Sequence, residues 1–250
     1  MNQEKVSQEE AEVRIRVLYN DFLDESFKRK ELLIPEHGFS ALVEIPSARI
    51  LFDTGQSFDI LFRNMLNLDL KIEDINFVFL SHYHKDHYGG LFDFLKRNYN
   101  VTVFLTKDFP QDFKQRILNS GASVVEIKKL STLFNNVATT GAMGTIIKEQ
   151  SIIVMTSNGV VIITGCAHQG LLELITSVKI LEDKIIAIVG GFHLFEKSEE
   201  EIRNIANSIR DLGVKKVIPL HCSGEIALKV FKEVFKDNFV ISGLGGTIQF

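Results

Sequence analysis

Read by the spacing of its apolar positions, the chain is dominated by short strands. Val13–Tyr19 (VRIRVLY) alternates apolar with charged residues, the period of a strand with one buried face. Ala41–Ile45 and Arg49–Phe52 flank Pro46-Ser47-Ala48 and predict a hairpin. Phe77–Leu80, Val101–Leu105 and Val124–Ile127 are apolar runs of strand length. Ile152–Thr156 and Val160–Thr164 flank Ser157-Asn158-Gly159, whose Asn-Gly pair predicts a tight hairpin turn. Ile185–Val189, Lys216–Leu220, Phe239–Ile241 and Thr247–Phe250 complete the set.

Between these runs the period changes to that of a helix. After Ser57, the residues Phe58, Leu61, Phe62, Met65 and Leu66 recur at helical spacing. Ser198 and Glu201 form a capping box, followed by the apolar stripe Ile202, Ile205, Ala206, Ile209 and Leu212 and the stop at Gly213. Ile226, Val230, Phe231 and Val234 repeat the pattern after Ser223. Strands outnumber helices and several pair as hairpins, which predicts an α/β (α+β) fold of mixed sheets covered by helices.

Composition narrows the class. The 250 residues are 45% apolar and 24% charged, ordinary values for a globular chain. No linker, low-complexity tract or internal repeat interrupts the sequence, which divides into a polar lead-in over residues 1–12 and a single domain over 13–250. The polar start lacks the apolar segment of a signal peptide, and no uncharged apolar run reaches about 18 residues, so no membrane association is expected. Two cysteines fit a reducing compartment, and a cytoplasmic location is expected. A net charge of -4 gives no electrostatic footprint for nucleic acid.

The chemistry is concentrated in His82-Tyr83-His84-Lys85-Asp86-His87, which follows an apolar strand and precedes Gly89-Gly90 and the helix start at Leu91. The carboxyl end of a strand before a helix is where α/β folds place their sites. Imidazole and carboxylate are donors for zinc, manganese or iron. His82 and His84, two apart in an extended loop, point the same way, and Asp86 and His87 face a second position after the chain turns. Three imidazoles and a carboxylate in six positions are far denser than a surface loop requires.

This His-x-His-x-Asp-His run resembles the signature of the metallo-β-lactamase superfamily. Asp53-Thr54-Gly55 after Ile50-Leu51-Phe52 is similar to that superfamily's Asp-x-Gly, Ile163-Thr164-Gly165-Cys166 to its fourth motif, and Val217-Ile218-Pro219-Leu220-His221 to its last-strand histidine. The resemblance implies a four-layer αββα sandwich with a dinuclear site at the sandwich edge. Glu36-His37-Gly38-Phe39-Ser40, Thr164–His168, Gly190–Leu194 and His221–Gly224 resemble a subgroup of dihydropteroate-synthase-like and ribofuranosylaminobenzene 5'-phosphate synthase-like members. The superfamily's separate third-motif histidine has no counterpart between His87 and His168, and its fourth-motif aspartate is here Cys166. With His168 as the substitute, the resemblance implies His82, His84 and His168 for one ion and Asp86, His87 and His221 for the other. Two divalent ions are expected, zinc favoured by the histidine-rich set, with iron or manganese as alternatives.

Around these ligands several residues have more than one reading. Cys166 is either a bridging or supporting ligand or a small buried thiol. Asp53 supports the histidine loop through hydrogen bonds and does not bind metal. His193, after Gly190-Gly191, has three readings: a substrate contact or supporting residue, a metal ligand, or a hydrogen-bonded turn residue. His37 reads as a surface residue near the pocket rim. Cys222, following His221 on a strand, points away from it into the packing. Ser223 caps the last helix, and with Gly224 leaves free amides for an anion.

The function expected is a metal-dependent hydrolase using a hydroxide activated by two metals on an ester or phosphoester, with Asp86 orienting the hydroxide. The substrate is a small, anionic molecule. Alternatives are the phosphoribosyl-type transferase that the subgroup implies, an iron-containing redox relative, and a non-catalytic metal-binding protein. The sequence leaves the substrate, the metal and the oligomeric state open.

Overall fold

The computed structural model describes residues 13–250; the lead-in expected over residues 1–12 lies outside them. In chain order the elements are β1 (Arg14–Tyr19), β2 (Ser40–Ile45), β3 (Ala48–Phe52), α1 (Phe58–Asn67), β4 (Phe77–Phe79), α2 (Lys85–Tyr88), α3 (Leu91–Leu95), β5 (Thr102–Thr106), α4 (Gln111–Asn119), β6 (Ser123–Ile127), β7 (Ser131–Phe134), β8 (Val137–Thr139), β9 (Ile152–Thr156), β10 (Gly159–Thr164), α5 (Leu171–Lys179), β11 (Ile185–Gly191), α6 (Glu199–Asp211), β12 (Lys216–Leu220), α7 (Glu225–Phe235) and β13 (Thr247–Gln249).

The strands form two sheets, β13-β1-β2-β3-β4-β5-β6 and β12-β11-β10-β9-β8-β7. Each sheet has an antiparallel part made of hairpins and a parallel part made of helical crossovers. The parallel pairs are β3/β4, β4/β5 and β5/β6 in the first sheet, and β10/β11 and β11/β12 in the second. Parallel strands need long crossovers. Here α1, the α2–α3 pair and α4 provide them for the first sheet, and α5 and α6 for the second.

Period-two alternation sorts each strand's side chains between two cores. Ile50 and Phe52 of β3 face the opposite sheet, while Leu51 faces the helices α1, α3 and α4. Val161 and Ile163 of β10 meet them between the sheets, while Val160 and Ile162 pack under α5, α6 and α7. The result is four layers, helices–sheet–sheet–helices, with three apolar interfaces. This is the αββα sandwich that the resemblance implies.

The sequence-derived element boundaries differ from the observed ones in a few places. Phe239–Ile241 is not a strand; it makes an isolated bridge from Phe239 to Val217. In the β9–β10 hairpin Thr156 pairs with Gly159, so the two-residue turn is Ser157-Asn158 and Gly159 opens the next strand. β7 and β8 pass unnoticed in the sequence because they are short and their outward positions are polar or small. The capping box of Ser198 and Glu201 forms, and Ile202, Ala206 and Ile209 bury the α6 stripe. No helix among the described residues is long and apolar enough to cross a membrane.

This topology decides where chemistry can sit. The carboxyl ends of β3, β4, β10, β11 and β12 open onto one edge of the sandwich. All loops that follow those ends carry the histidines, cysteines and acids singled out above.

Since the α6 cap satisfies backbone donors at both Ser198 and Glu201, Ser198→Ala is expected to destabilise the protein by about 1 kcal/mol. The check is a lower denaturant midpoint at unchanged m-value.

Candidate metal centre

The loop after β4 is positioned from beneath by Asp53. That residue is fully buried, at φ 54, just after β3. Its Oδ1 accepts the Ser81 amide at 2.8 Å and its Oδ2 accepts the Ser81 hydroxyl at 2.7 Å and His87 Nδ1 at 2.7 Å. Burial, with the nearby charges of Glu149 and Asp86, pushes the Asp53 carboxyl well up, and the Ser81 bonds offset this only in part. With Asp53 a carboxylate, Ser81 Oγ gives it its only proton and so accepts from His82 Nδ1, 2.9 Å away. The proton on Nδ1 leaves His82 Nε2 as a lone pair, and the same logic leaves His87 Nε2 as one. Both point into the site: His82 Nε2 lies 3.0 Å from His84 Nδ1, and His87 Nε2 lies 3.2 Å from Cys166 Sγ.

The loop after β10 is positioned by a second buried carboxylate, Glu149. Its Oε1 accepts the Thr164 hydroxyl and the amides of Gly165, Cys166 and Ala167 at 2.9–3.1 Å, and its Oε2 accepts the His168 amide at 2.9 Å. Burial works to raise this carboxyl, but the His82 imidazole and the His168 and Cys166 amides outweigh it and hold it down to about 2. The chain between Cys166 and His168 is not extended, since Ala167 sits at φ 56, yet both side chains enter the site. Gly165 is required by close approach, because a Cβ there would lie 2.3 Å from Ser81 Oγ.

The third loop begins at His221, also at positive φ (45°), in a short 3-10 turn after β12. Its Nδ1 bonds Asp21 Oδ2 at 2.6 Å and its Nε2 faces Asp86 Oδ2 at 3.3 Å. Asp86 Oδ2 also lies 3.5 Å from His87 Nε2 and 3.4 Å from His37 Nε2.

The donors therefore converge. One donor atom each from His82, His84 and His168 lie within 4.8 Å of one another, as do those of His82, His87 and Cys166, of Cys166, His221 and Cys222, and of Cys166, His168 and His193. Cys166 is common to three of these groups and sits between the histidine sets.

Several observations test whether this set fits a divalent cation. His87 and His221 each give their outer nitrogen to a carboxylate and His82 gives its own to a hydroxyl, the arrangement that orients imidazole ligands and makes them more basic. Burial holds His82 well below its usual value, and with repulsion from His221 it holds His87 at about 3. Burial likewise lowers His168 to about 4. All three thus present neutral imidazole, the form that binds metal. His168 Nε2 and His193 Nδ1 are buried without a hydrogen-bond partner. The donor set fits.

The remaining electrostatics follow from the same neighbours. For Asp86, burial opposes ionisation, but His221 and His87 hold it well below the usual carboxylate range. Burial opposes charge on His221, but the hydrogen bonds that Asp21 and Asp86 accept from its ring raise it to about 10. The hydrogen bond with Cys166 draws Cys222 down to about 5 against burial, with His193 assisting; burial pushes Cys166 up. His193 is raised by its bond to Cys222.

Two expectations need correction. Cys222 does not point into the core. The strand ends at Leu220, the positive φ at His221 breaks the alternation, and Cys222 Sγ lies 3.3 Å from Cys166 Sγ. Ser223 does not cap α7; its buried hydroxyl donates to Leu220 O and accepts the Phe192 amide, joining the ends of β12 and β11. Gly224 packs against Phe195, where a Cβ would come 2.9 Å from Phe195 Cα. His37, although more than half exposed, is tied to the site through Asp86 and through Asp21 Oδ1 at 2.8 Å. Sequence reasoning also missed Glu149 and Asp21, single acids outside any motif. The only signal for Glu149 is its place in the stretch between His87 and His168, where the superfamily's third-motif histidine is missing.

Fold and site together place the chain among enzymes that carry a histidine-rich pocket at the edge of an αββα sandwich. The family model described as metallo-beta-lactamase superfamily matches residues 33–144. The chain is 28% identical over 265 residues to the 7,8-dihydropterin-6-methyl-4-(beta-D-ribofuranosyl)-aminobenzene-5'-phosphate synthase of Methanocaldococcus jannaschii, covering 86% of this chain and 90% of that one. Among solved structures it is similar to Tm1679, described as a metal-dependent hydrolase of the beta-lactamase superfamily, with 28% identity, a TM-score of 0.78 and coverage of 95% and 99%. YhfI from Bacillus subtilis, described as a metallo-beta-lactamase fold protein, shares the fold at 14% identity and a TM-score of 0.70, with coverage of 95% and 99%.

Removing the Glu149 carboxylate strands four backbone amides in a buried loop. Glu149→Ala is expected to destabilise the protein by roughly 3–5 kcal/mol, and Glu149→Gln, which keeps one acceptor oxygen, by distinctly less. Chemical denaturation in the presence of a chelator checks the order without a contribution from metal loss.

Proposed function

We propose that the chain is a dinuclear metal-dependent hydrolase acting on a small anionic ester or phosphoester. The observation that carries this reading is the convergence of the His82, His84 and His168 donors within 4.8 Å beside Asp86, whose Oδ2 lies 3.3 Å and 3.5 Å from His221 Nε2 and His87 Nε2. In this reading His82, His84 and His168 hold one ion and Asp86, His87 and His221 the other, with Cys166 between. Zinc is the favoured metal. Two ions bound there would polarise a substrate oxygen and lower the pKa of water toward about 7.

The chain's own groups supply the rest. Asp86, ionised throughout the neutral range, accepts a proton at Oδ2 and orients the attacking water. His37 Nε2, at the exposed rim 3.4 Å from the same oxygen, steadies it. His193, raised by Cys222, donates from its unpartnered Nδ1 to a substrate oxygen. A cleft of about 400 Å³ adjoins His168 and His193, with Leu171, Phe192 and Ile205 in its walls and one cation, Lys197, beside one acid, Glu173. Its walls support a compact substrate with an apolar part, and Lys197 with the unpartnered His193 Nδ1 marks where a negative charge on it would sit.

A second reading is favoured by the likeness to the Methanocaldococcus jannaschii synthase, which extends along 86% of the chain. Here the same residues would serve a transfer reaction that joins a dihydropterin-6-methyl group to a ribofuranosylaminobenzene 5'-phosphate, the product in that relative's name, instead of the phosphoribosyl-type transfer first expected. Parallel assays separate the two: hydrolysis of nitrophenyl phosphate mono- and diesters, and condensation of an activated dihydropterin-6-methyl donor with a ribofuranosylaminobenzene 5'-phosphate. Condensation without hydrolysis overturns the hydrolase.

About two transition-metal ions per chain are expected by elemental analysis, and chelation should lower the melting temperature because the ions bind only the folded state. His168→Ala should lower metal content, whereas His193→Ala should lower turnover with metal retained. Metal lost from the His193 variant and kept in the His168 variant reverses these two roles.

A further inference from the structure

The segment before β2, Glu36-His37-Gly38-Phe39, is docked onto Asp86 through its backbone. The Phe39 amide donates to the Asp86 carbonyl at 3.1 Å. Gly38, at φ 135, lies against the same carbonyl, where a Cβ would come within 2.5 Å of the oxygen. That approach requires a residue without a side chain. Asn20 ties the segment from its other side: its carbonyl accepts the Glu36 amide at 3.2 Å and its Oδ1 accepts the His221 amide at 2.7 Å. His37 is thereby held beside Asp86 and His221, its ring centre 5.0 Å from that of His221.

Asp21 treats His37 and His221 alike. Its Oδ1 accepts His37 Nδ1 at 2.8 Å and its Oδ2 accepts His221 Nδ1 at 2.6 Å. One carboxylate thus orients two imidazoles, the arrangement that positions histidine ligands of a metal. Both Nε2 atoms face Asp86 Oδ2, that of His37 at 3.4 Å and that of His221 at 3.3 Å, and His87 Nε2 faces it at 3.5 Å. N–H···O hydrogen bonds cluster at about 2.9–3.0 Å. Donors bound to zinc at about 2.0–2.1 Å lie roughly 3.3–3.4 Å apart at the tetrahedral angle. The three separations match the edge of a coordination tetrahedron better than they match hydrogen bonds. A rim histidine kept only to steady Asp86 does not need its outer nitrogen fixed by the carboxylate that also fixes His221.

We propose that His37 is a fourth protein ligand of the ion held by Asp86, His87 and His221, with Asp21 aiming both it and His221. Four donors close the coordination of that ion, so the position open to water or substrate belongs to the ion held by His82, His84 and His168. His37, more than half exposed, closes the centre from its solvent side. The assignment rests on the metal-binding part of the proposed function and not on the reaction catalysed.

The test labels the full chain with nitrogen-15 histidine, loads it with cadmium-113 and reads the one-bond coupling between metal and ring nitrogen by nuclear magnetic resonance. His37→Gln identifies the His37 signals. Wild-type protein is expected to show coupling at Nε2 of His37, as at Nε2 of His87 and His221. Zinc titration against a competing chelator gives a second readout. Residues that only orient a ligand already change metal affinity by about 10–100-fold, so His37→Gln should bind one of its two zinc ions at least about tenfold more weakly, with the other unchanged. Coupling at His87 and His221 with none at His37, or two zinc affinities unchanged in His37→Gln, overturns the assignment of His37 and leaves the hydrolase reading intact. Cadmium that couples to none of these histidines overturns the two-ion reading as well.

Discussion

The Glu149 carboxylate, buried beneath the loop that follows β10, fixes the part of the structure on which the site depends. One side chain accepts four consecutive backbone amides, from Gly165 to His168, and a hydroxyl. A carboxylate placed out of water is costly unless its lone pairs are filled, and here they are. The loop is thereby closed tightly enough to send Cys166 and His168 inward from either side of Ala167. Asp53 does the same for the loop after β4, through both groups of Ser81 and through His87. Asp53 follows β3 of one sheet and Glu149 precedes β9 of the other, so the two carboxylates tie the site to both sheets.

The chemistry that results is a matter of proton placement. Asp53 and Ser81 fix which nitrogen of His82 and His87 carries hydrogen, and Asp21 holds the outer nitrogen of His221. The inward nitrogens of His82 and His87 are then available as donors, and burial keeps His82, His87 and His168 neutral, whereas His221, held at about 10, must give up its Nε2 proton to bind a cation. Asp86 stands where three imidazoles face one carboxylate oxygen. A cation and an acidic water would each find a partner there, which is why the geometry supports metal-assisted chemistry more strongly than nucleophilic catalysis by a side chain.

Much of the fold can be read from the chain because the packing obeys simple periods. The alternation in Val13–Tyr19 and the apolar stripe after Ser198 report burial directly, and the strand ends that carry Asp53, His82, Cys166, His193 and His221 follow from them. What the periods do not report are places where the backbone leaves its regular path. The positive φ at His221 turns Cys222 into the site, against the strand rule. The same turn gives Ser223 to the β11–β12 junction and leaves α7 without its cap. Glu149 and Asp21 are invisible for another reason: a lone acid in a loop has no spacing to mark it, and its role exists only when distant segments are folded against it. His37 is a milder case, an exposed residue whose contact with Asp86 depends on the approach of the β1–β2 loop to α2.

The account's central claim is that buried Asp53 and Glu149 orient donors that close around metal ions without binding metal themselves. Anomalous diffraction from a metal-loaded crystal, collected at the metal's absorption edge, tests it most directly. The account predicts anomalous peaks within coordination distance of His82, His84 and His168 and of Asp86, His87 and His221, with Glu149 still on the Gly165–His168 amides and Asp53 still on Ser81. A metal peak bonded to the Glu149 or Asp53 carboxylate, or peaks away from these histidines, would contradict it.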